Sequence, residues 1–511
     1  MLKLFGGDKP DHPLADPKEA RKILDGMPAE DPLRALEELG HWLESVLSVD
    51  GFKPEYRVQL VLMIDEAAQG HARKLQREYL STPHLSKFQE NRMWTAMHDF
   101  HRRSGSAFCA CMDLQAAGQK GADALKSSLP LLTVRALRAQ AAQMKWKYLR
   151  YGPFDRAIWA MITKIYVFAA NRGYARTKAA VYPGVPGESS PELEFLRAVM
   201  LAASSPDGLL PLEIELAERL IAHFSESFTF AENRRPDVAY WMDLATGQPP
   251  LRLARPPQYA PTLRFFGAGK AAQELGNLIR IVKSTNAVPS NVGLGGIYQP
   301  DVVLNVLDHL ALYWSPRPPE RQALRHRFKS RVSVTRGFDG VRAVFDSSAS
   351  TEVASAEIES WVVENVSSGG FGASIPQIRG EWLGIGCLLG LQPEGGDNWI
   401  VGLIRRFNRD SPQQGTVGIQ TLAKTALSVK LKLRSGQAVT RRDADTGILL
   451  NPSDDASEAL VLLRPGVLVA GQNIDIERNG KRYLMLSAEL MERGEDYELM
   501  RFRQMKWEPG G

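Results

Sequence analysis

The sequence predicts a multidomain α + β protein with a helical N-terminal half, a small antiparallel β-barrel and a further C-terminal β-rich domain. At 511 residues the chain is too long for one hydrophobic core. Apolar residues recur at three- and four-residue steps in the first half, and at every second residue in the later part. Between the two patterns lies Ser315–Glu320, a turn-rich break with three prolines, which we take as the main domain boundary.

Amphipathic stripes predict an α-helical domain over residues 1–224. One stripe consists of Val61, Ile64, Ala68, Ala72, Leu75 and Tyr79. A second consists of Met93, Met97, Phe100, Phe108, Cys111 and Leu114, and a third of Ile158, Met161, Ile162, Ile165 and Phe168. Each stripe gives a helix one apolar face, and Asp155 is the predicted start of the third helix.

A basic segment of the helical half carries Arg135, Arg138, Lys145, Lys147 and Arg150. An ordinary solvated helix face is the favoured interpretation, and contact with nucleic acid is the alternative. Residues 225–315 are predicted to form a mixed region. Short apolar runs are broken there by six prolines, and helices follow at about 270–284 and 300–314.

The predicted barrel covers residues 316–427. Its β-rich runs are Val332–Val334, Val341–Phe345, Ile358–Val363, Phe371–Ile375, Trp399–Ile404 and Val417–Leu422. Residues 428–511 form the last predicted domain, where Asn479–Gly480 is the expected turn between two strands. The pattern leaves open whether this stretch is a second barrel or completes the first.

The composition is that of an ordinary soluble protein, with 44% apolar and 24% charged residues. The net charge of +5 is too small to indicate nucleic-acid binding, which needs a concentrated patch. The N-terminus lacks the apolar stretch of a signal peptide, and no apolar run is long enough to span a membrane. With only three cysteines, we expect a cytoplasmic protein.

The densest positive charge lies in residues 317–336. Seven cationic side chains there face a single acid, Glu320, and they are Arg317, Arg321, Arg325, Arg327, Lys329, Arg331 and Arg336. A solvated basic linker would explain the run, but the run leads directly into the first predicted barrel strand. Roughly thirty residues later, the strand predicted over Ile358–Val363 ends in Glu364-Asn-Val-Ser-Ser-Gly-Gly.

Together these segments resemble the two-part signature of PilZ domains, RxxxR followed by (D/N)xSxxG. Arg327-Phe-Lys-Ser-Arg331 matches the first part best, and Asn365, Ser367 and Gly370 match the second, with Gly369 also common in the family. The resemblance covers about residues 320–425, and the helical half resembles no family known to us. The spacer between Arg331 and Asn365 is long for the family, and we expect a polar hairpin tip at Asp346–Thr351 within it. The aromatic that commonly lies two residues before the second arginine is here Phe328, three residues before it, so Arg325 with Arg331, or Arg321 with Arg325, are alternative registers of the first part.

The resemblance implies a receptor or effector for cyclic di-GMP, a bacterial second messenger. The implied ligand-binding residues are Arg327, Arg331, Asn365, Ser367, Gly369, Gly370 and, in the alternative register, Arg325. A guanidinium can donate two parallel hydrogen bonds to guanine, stack on a base or bind a phosphate. Asn365 and Ser367 would add polar contacts, and the two glycines would permit positive φ and close approach of the backbone to the ligand.

We expect the helical half to be the output module and to bind a protein partner. The alternative is a PilZ-like barrel that has lost its ligand and serves as a scaffold or assembly protein. We expect no enzyme, since the sequence offers no catalytic triad, metal-ligand set or complete phosphate loop. No catalytic residue, metal ligand or cofactor is therefore predicted, and nucleic acid is an unlikely partner.

Overall fold

The chain divides into two compact units, residues 1–320 and 321–511. The computed structural model describes residues 10–82, 85–118, 122–318, 326–346, 357–380, 382–433, 446–468, 471–478 and 481–506. The predicted fold class is confirmed, because helices dominate the first unit and β-strands the second.

Ten α-helices are described in the first unit. They are α1 (Pro17–Asp25), α2 (Pro32–Ser48), α3 (Pro54–Ser81), α4 (Lys87–Ala116), α5 (Leu129–Tyr148), α6 (Arg156–Asn171), α7 (Pro191–Ala203), α8 (Pro211–Phe224), α9 (Ala271–Thr285) and α10 (Pro300–Trp314). The three predicted stripes fall on α3, α4 and α6, and most of their residues are buried in one large apolar core. Asp155 caps α6, since its carboxylate accepts the Ala157 N–H at 2.8 Å.

The prediction of a solvated basic face on α5 is wrong. Arg135 is 2% exposed and Lys145 is 4% exposed. The Lys145 ammonium donates to Glu215 at 2.8 Å and to Glu218 at 2.5 Å. Burial lowers the pKa of Lys145, but the two carboxylates raise it by more, so the net shift is upward. Both carboxylates lie on α8, about seventy residues away, which a reading of α5 by itself could not reveal.

The proline-containing stretch after α8 forms a small antiparallel sheet that the sequence analysis did not predict. Its strands are β3 (Thr229–Ala231), β4 (Tyr240–Asp243), β5 (Leu251–Arg252) and β6 (Leu263–Gly267), in the order β3-β6-β4-β5, and a short pair, β1 (Ala179–Ala180) and β2 (Glu188–Ser189), precedes it. The prolines lie in the connections between strands, where they remove no ladder hydrogen bond. The two helices predicted after this stretch are α9 and α10.

The second unit contains two closed six-stranded barrels. The first barrel consists of β7 (His326–Arg336), β8 (Glu359–Ser367), β9 (Gly370–Ile375), β10 (Leu388–Pro393), β11 (Ile400–Arg409) and β12 (Gly415–Ala423). The second consists of β13 (Ala426–Leu433), β14 (Thr446–Leu450), β15 (Glu458–Leu463), β16 (Ile474–Arg478), β17 (Lys481–Arg493) and β18 (Glu498–Lys506). The C-terminal stretch is thus a barrel of its own.

One predicted strand is wrong. Residues 341–345, read as β-rich, lie at the end of a helix, α11 (Gly337–Val344). Phe338 and Val341 are three residues apart, so the helix buries both on one face, at 1% and 0% exposure. They join an apolar cluster that includes residues of both barrels, such as Leu403 and Ile448. The cluster needs apolar side chains three residues apart on one face, and a helix provides that spacing. This packing outweighs the β propensity of residues 341–345.

Two further expectations concern turns. The strands predicted around Asn479–Gly480 are β16 and β17, paired with Arg478 opposite Lys481, although the two turn residues lie outside the described residues. A polar hairpin tip expected at 346–351 also falls there, except for Asp346. Among the described residues, no helix combines the length and apolar character needed to cross a bilayer.

Candidate functional site

The strand pairing brings the two halves of the predicted motif together. Arg327 on β7 is the direct backbone partner of Asn365 on β8. Two irregularities flank this pair: one in β7 between Arg327 and Ser330, and one in β8 between Val363 and Asn365. An extra residue in a strand bends it and turns side chains toward a new face, and such bulges recur beside binding sites.

Asn365 begins a cross-strand row that runs over three further strands. Asn365 pairs with Gly372 on β9, and Gly372 pairs with Gly418 on β12. Gly418 in turn pairs with Arg406 on β11. Gly418 lies between Val417 and Ile419, which are each 4% exposed and point into the barrel. Strand alternation therefore places the row on the outer face. We call Asn365, Gly372, Gly418 and Arg406 the glycine row.

The glycine row leaves two positions without a Cβ between two polar side chains, and the first of them, Gly372, is buried. A Cβ on Gly372 would lie 2.9 Å from Asn365 Nδ2, so the amide lies over this residue. A Cβ on Gly418 would lie 3.4 Å from the Cβ of Arg406, an exposed arginine. The Asn365 Oδ1 is buried and accepts no hydrogen bond from the described residues. An unused buried acceptor calls for a partner, and a flat group could lie beside the Asn365 amide, against Gly418.

The β8–β9 hairpin holds the rest of the second half-motif. The Ser367 hydroxyl donates to the Gly370 carbonyl at 2.9 Å and closes the turn. Gly370 has φ of 155°, and a Cβ there would lie 2.0 Å from the Ile419 carbonyl oxygen, so only glycine fits. Gly369 differs from the expectation: its φ is not positive and a Cβ would meet nothing within 4 Å.

The arginine half of the motif is described in part. Arg331 is exposed, and its Nη1 lies 3.5 Å from Ser360 Oγ on β8. Its backbone N–H donates to the Glu394 carboxylate at 3.1 Å, which fixes the strand beside the guanidinium. Arg327 is described at the level of its backbone, and Arg325 and Arg321 lie outside the described residues. The structure thus favours Arg327 over Arg325 and Arg321 as the first motif arginine only because the backbone of Arg327 pairs with Asn365.

Cys387 lies directly before β10 of the first barrel. Burial raises the pKa of Cys387 to about 11, and its thiol donates to the Trp382 carbonyl at 2.8 Å, so it stays protonated at neutral pH. In the part of the chain that the structure describes, no group of three or more His, Cys, Asp or Glu side chains could hold a metal ion.

Gly372, Gly418 and Arg406 are additional candidates that the sequence analysis did not name. Gly372 and Gly418 are far apart in sequence, so their position side by side on neighbouring strands is evident only when the strand register is known. The available signal was the pattern Val417-Gly-Ile, a glycine at an outward position of a strand.

Residues 18–235 match a family model described as the N-terminal domain of the cyclic-di-GMP receptor FimW. The matched range begins in α1 and extends past β3, so it covers most of the helical unit, for which the sequence analysis named no family. It ends before the barrels, so it is independent of the barrel motif. No curated protein matches the chain.

Proposed function

We propose that this protein is a receptor for cyclic di-GMP and that the ligand binds on the outer face of the first barrel. The observation that carries the proposal is the agreement of two separate parts of the chain. The helical unit matches the N-terminal domain of a cyclic-di-GMP receptor, and the barrel carries both half-motifs of a PilZ domain, which lie in register. Neither half-motif would suffice by itself, because each is short.

The glycine row suits a ligand with two flat bases and two phosphates. A guanine could lie beside the Asn365 amide and against Gly418, where no Cβ keeps it from the backbone. Asn365 Oδ1 would then accept from a guanine N–H. Arg327 and Arg331 would bind guanine edges or phosphates, a role that lysine could not fill because it lacks the planar fork. Gly370, Ser367 and Gly369 would shape the hairpin beside the ligand, and Arg325 would add a cation in the alternative register.

Calorimetric titration with cyclic di-GMP tests the proposal. Arg327→Ala and Arg331→Ala should each weaken binding at least about tenfold, because each removes charge-assisted hydrogen bonds. Arg482→Ala is the matched control: this exposed arginine lies on β17 of the second barrel and should leave the affinity unchanged. Equal affinity in wild type and both first-barrel variants would exclude the arginines from the site.

A second candidate function is a PilZ-like scaffold without a ligand. Its support is that the Ser367 hydroxyl already closes the hairpin and so has a structural role. If wild type gave no heat and no thermal shift with cyclic di-GMP but still bound its protein partner, the scaffold would replace the receptor.

We further propose that binding is coupled to the helical unit as the output module, which would bind a protein partner. The support is sequence continuity, because Pro316–Pro319 leads directly into the arginine segment. Hydrogen exchange on the titrated samples provides the check. Amides of residues 316–331 should exchange more slowly with ligand present, and unchanged exchange would separate binding from coupling.

A further inference from the structure

A positively charged concavity lies in the helical unit. It is a cavity of about 580 Å³ built from three segments: residues 234–239, residues 252–254 and residues 316–318. Four arginines line it, Arg234, Arg235, Arg252 and Arg317. Within the described part of the chain, no aspartate or glutamate lines it. Four like charges around one cavity repel each other unless an anion lies between them.

One nearby acid pairs with an arginine of the cavity, and another pairs with an arginine outside it. Asp237 accepts a hydrogen bond from Thr229 Oγ1 at 2.7 Å and pairs with Arg235 at 3.0 Å. Glu232 pairs with Arg264 at 3.4 Å. Arg234 and Arg317 are exposed and form no ion pair with any residue that the structure describes. The protein therefore brings at least two uncompensated guanidinium groups to this cavity.

Hydrogen bonds hold the three walls together. The Leu253 N–H donates to the Ala239 carbonyl at 2.8 Å and joins the first two segments. The Tyr240 hydroxyl donates to the Tyr313 carbonyl at 2.9 Å and joins the strand after the first segment to the helix before the third. The indole of Trp314, at the end of α10, donates to Ser204 Oγ at 3.0 Å. The cavity is thus preformed, so a ligand would not have to order its walls.

The floor of the cavity is apolar. Val238 is 5% exposed and belongs to a small cluster with Leu263 and Phe265, against which Leu253 packs. Prolines from the first and third segments complete the walls. A ligand for this surface needs a flat, weakly polar part against the floor and two or more negative charges at the rim.

We propose that this cavity binds a phosphate-bearing small molecule about the size of a nucleotide. The volume falls within the range of roughly 300–1,000 Å³ that small-molecule sites occupy. Guanidinium forks bind phosphate oxygens in pairs, and a base or similar ring covers the apolar floor. This proposal does not depend on cyclic di-GMP binding at the barrel.

Titration of the full chain at low ionic strength with ATP, GTP and uncharged guanosine tests the proposal. ATP or GTP should bind and guanosine should not. Arg234→Gln combined with Arg317→Gln should weaken nucleotide binding about a hundredfold, about tenfold for each guanidinium. Arg255→Gln is the matched control, since this exposed arginine follows the second segment but does not line the cavity. The double variant should retain the wild-type unfolding temperature.

Three outcomes would overturn the proposal. One is the absence of binding by either nucleotide. Another is nucleotide binding that the double variant leaves intact, which would place the ligand elsewhere. The third is binding of single-stranded RNA without binding of nucleotides, which would make the surface a nucleic-acid contact instead. Cyclic di-GMP affinity, measured on the same variants, should be unchanged, so that failure here and failure at the barrel are told apart.

Discussion

The two barrels share one strand connectivity and differ at the site. In each barrel the first strand pairs with the second and fourth, the third with the second and sixth, and the fifth with the fourth and sixth. The second strand of the first barrel ends in Asn365-Val-Ser, and the second strand of the second barrel is followed by Asn451-Pro-Ser. The second barrel is thus a topological copy of the first that retains the start of the half-motif.

The copies diverge where the proposed ligand would lie. Five residues after Asn451 stands Ala456, and Glu458 begins the third strand, as Gly370 does in the first barrel. No arginine occurs between residues 410 and 433, the stretch that leads into and forms β13. The second barrel therefore lacks both the glycine and the arginines.

The two asparagines show what the shared part of the motif does. Asn451 Oδ1 accepts the backbone N–H groups of Lys424 and Thr425, at 3.1 and 3.4 Å. Asn365 Oδ1 accepts nothing from the described residues. The same residue type thus supports the fold in one barrel and is left available in the other. Asn-x-Ser by itself therefore does not identify a ligand site, and the proposed site also depends on the glycine and the arginines.

The largest effect is expected from Gly370→Ala. The new Cβ would meet the Ile419 carbonyl oxygen and would force β9 away from β12, so we expect a loss of about 2 kcal/mol or more of unfolding free energy, and loss of cyclic di-GMP binding. Gly369→Ala is the control, since its Cβ meets open space. Denaturant unfolding of both variants measures the difference. If Gly370→Ala were as stable as Gly369→Ala, β9 and β12 would be able to move apart without loss of unfolding free energy, which would contradict this prediction.

The next largest effects are expected from replacing each of the two asparagines with alanine and comparing ligand affinity and stability. Asn365→Ala should weaken cyclic di-GMP binding about tenfold with little change in stability, because its Oδ1 makes no hydrogen bond in the described fold. Asn451→Ala should cost about 1–2 kcal/mol of unfolding free energy and leave the affinity unchanged, because two backbone N–H groups lose their acceptor. Calorimetry and denaturation of both variants provide the measurements. The reverse pattern would contradict the assignment of roles.

Local patterns predicted the fold class and the second half-motif. The apolar stripes on α3, α4 and α6 and most strands of the first barrel follow from spacing between near neighbours, which the sequence shows directly. Gly370 was identifiable because it completes a short local motif with Asn365 and Ser367, although the Ile419 carbonyl that excludes a Cβ there lies on the distant strand β12.

Features that depend on distant pairing were missed. The local sequence predicts a solvated Lys145, but its ammonium is buried and pairs with Glu215 and Glu218 on α8. The local pattern of residues 341–345 predicts a strand, but packing in the apolar cluster shared by the barrels favours a helix. Closure of the second barrel depends on the pairing of β13 with β16, which lie some forty residues apart. The glycine row likewise depends on a register that two bulges set.

The smallest effect concerns the junction between the barrels. Arg405 on β11 forms two hydrogen bonds of 2.6 Å with Glu492 on β17, and its Nε donates to Gln420, the β12 partner of Gly370. The Tyr497 hydroxyl also donates to Glu492 at 3.0 Å. The ion pair thus links the site's hairpin to the second barrel, although Arg405 is 38% exposed and water screens the attraction.

A double-mutant cycle of Arg405→Gln and Glu492→Gln should give a coupling energy of about 1 kcal/mol that falls as salt is added. The control cycle uses Arg501 and Glu489, a pair within the second barrel at 3.4 Å and more exposed, for which we expect less than about 0.5 kcal/mol. If the two cycles gave equal energies, the Arg405–Glu492 pair would join the barrels no more strongly than an ordinary surface pair does. The apolar cluster and the polar contacts of α11 with Asp496 and Arg464 would then remain as links between the barrels.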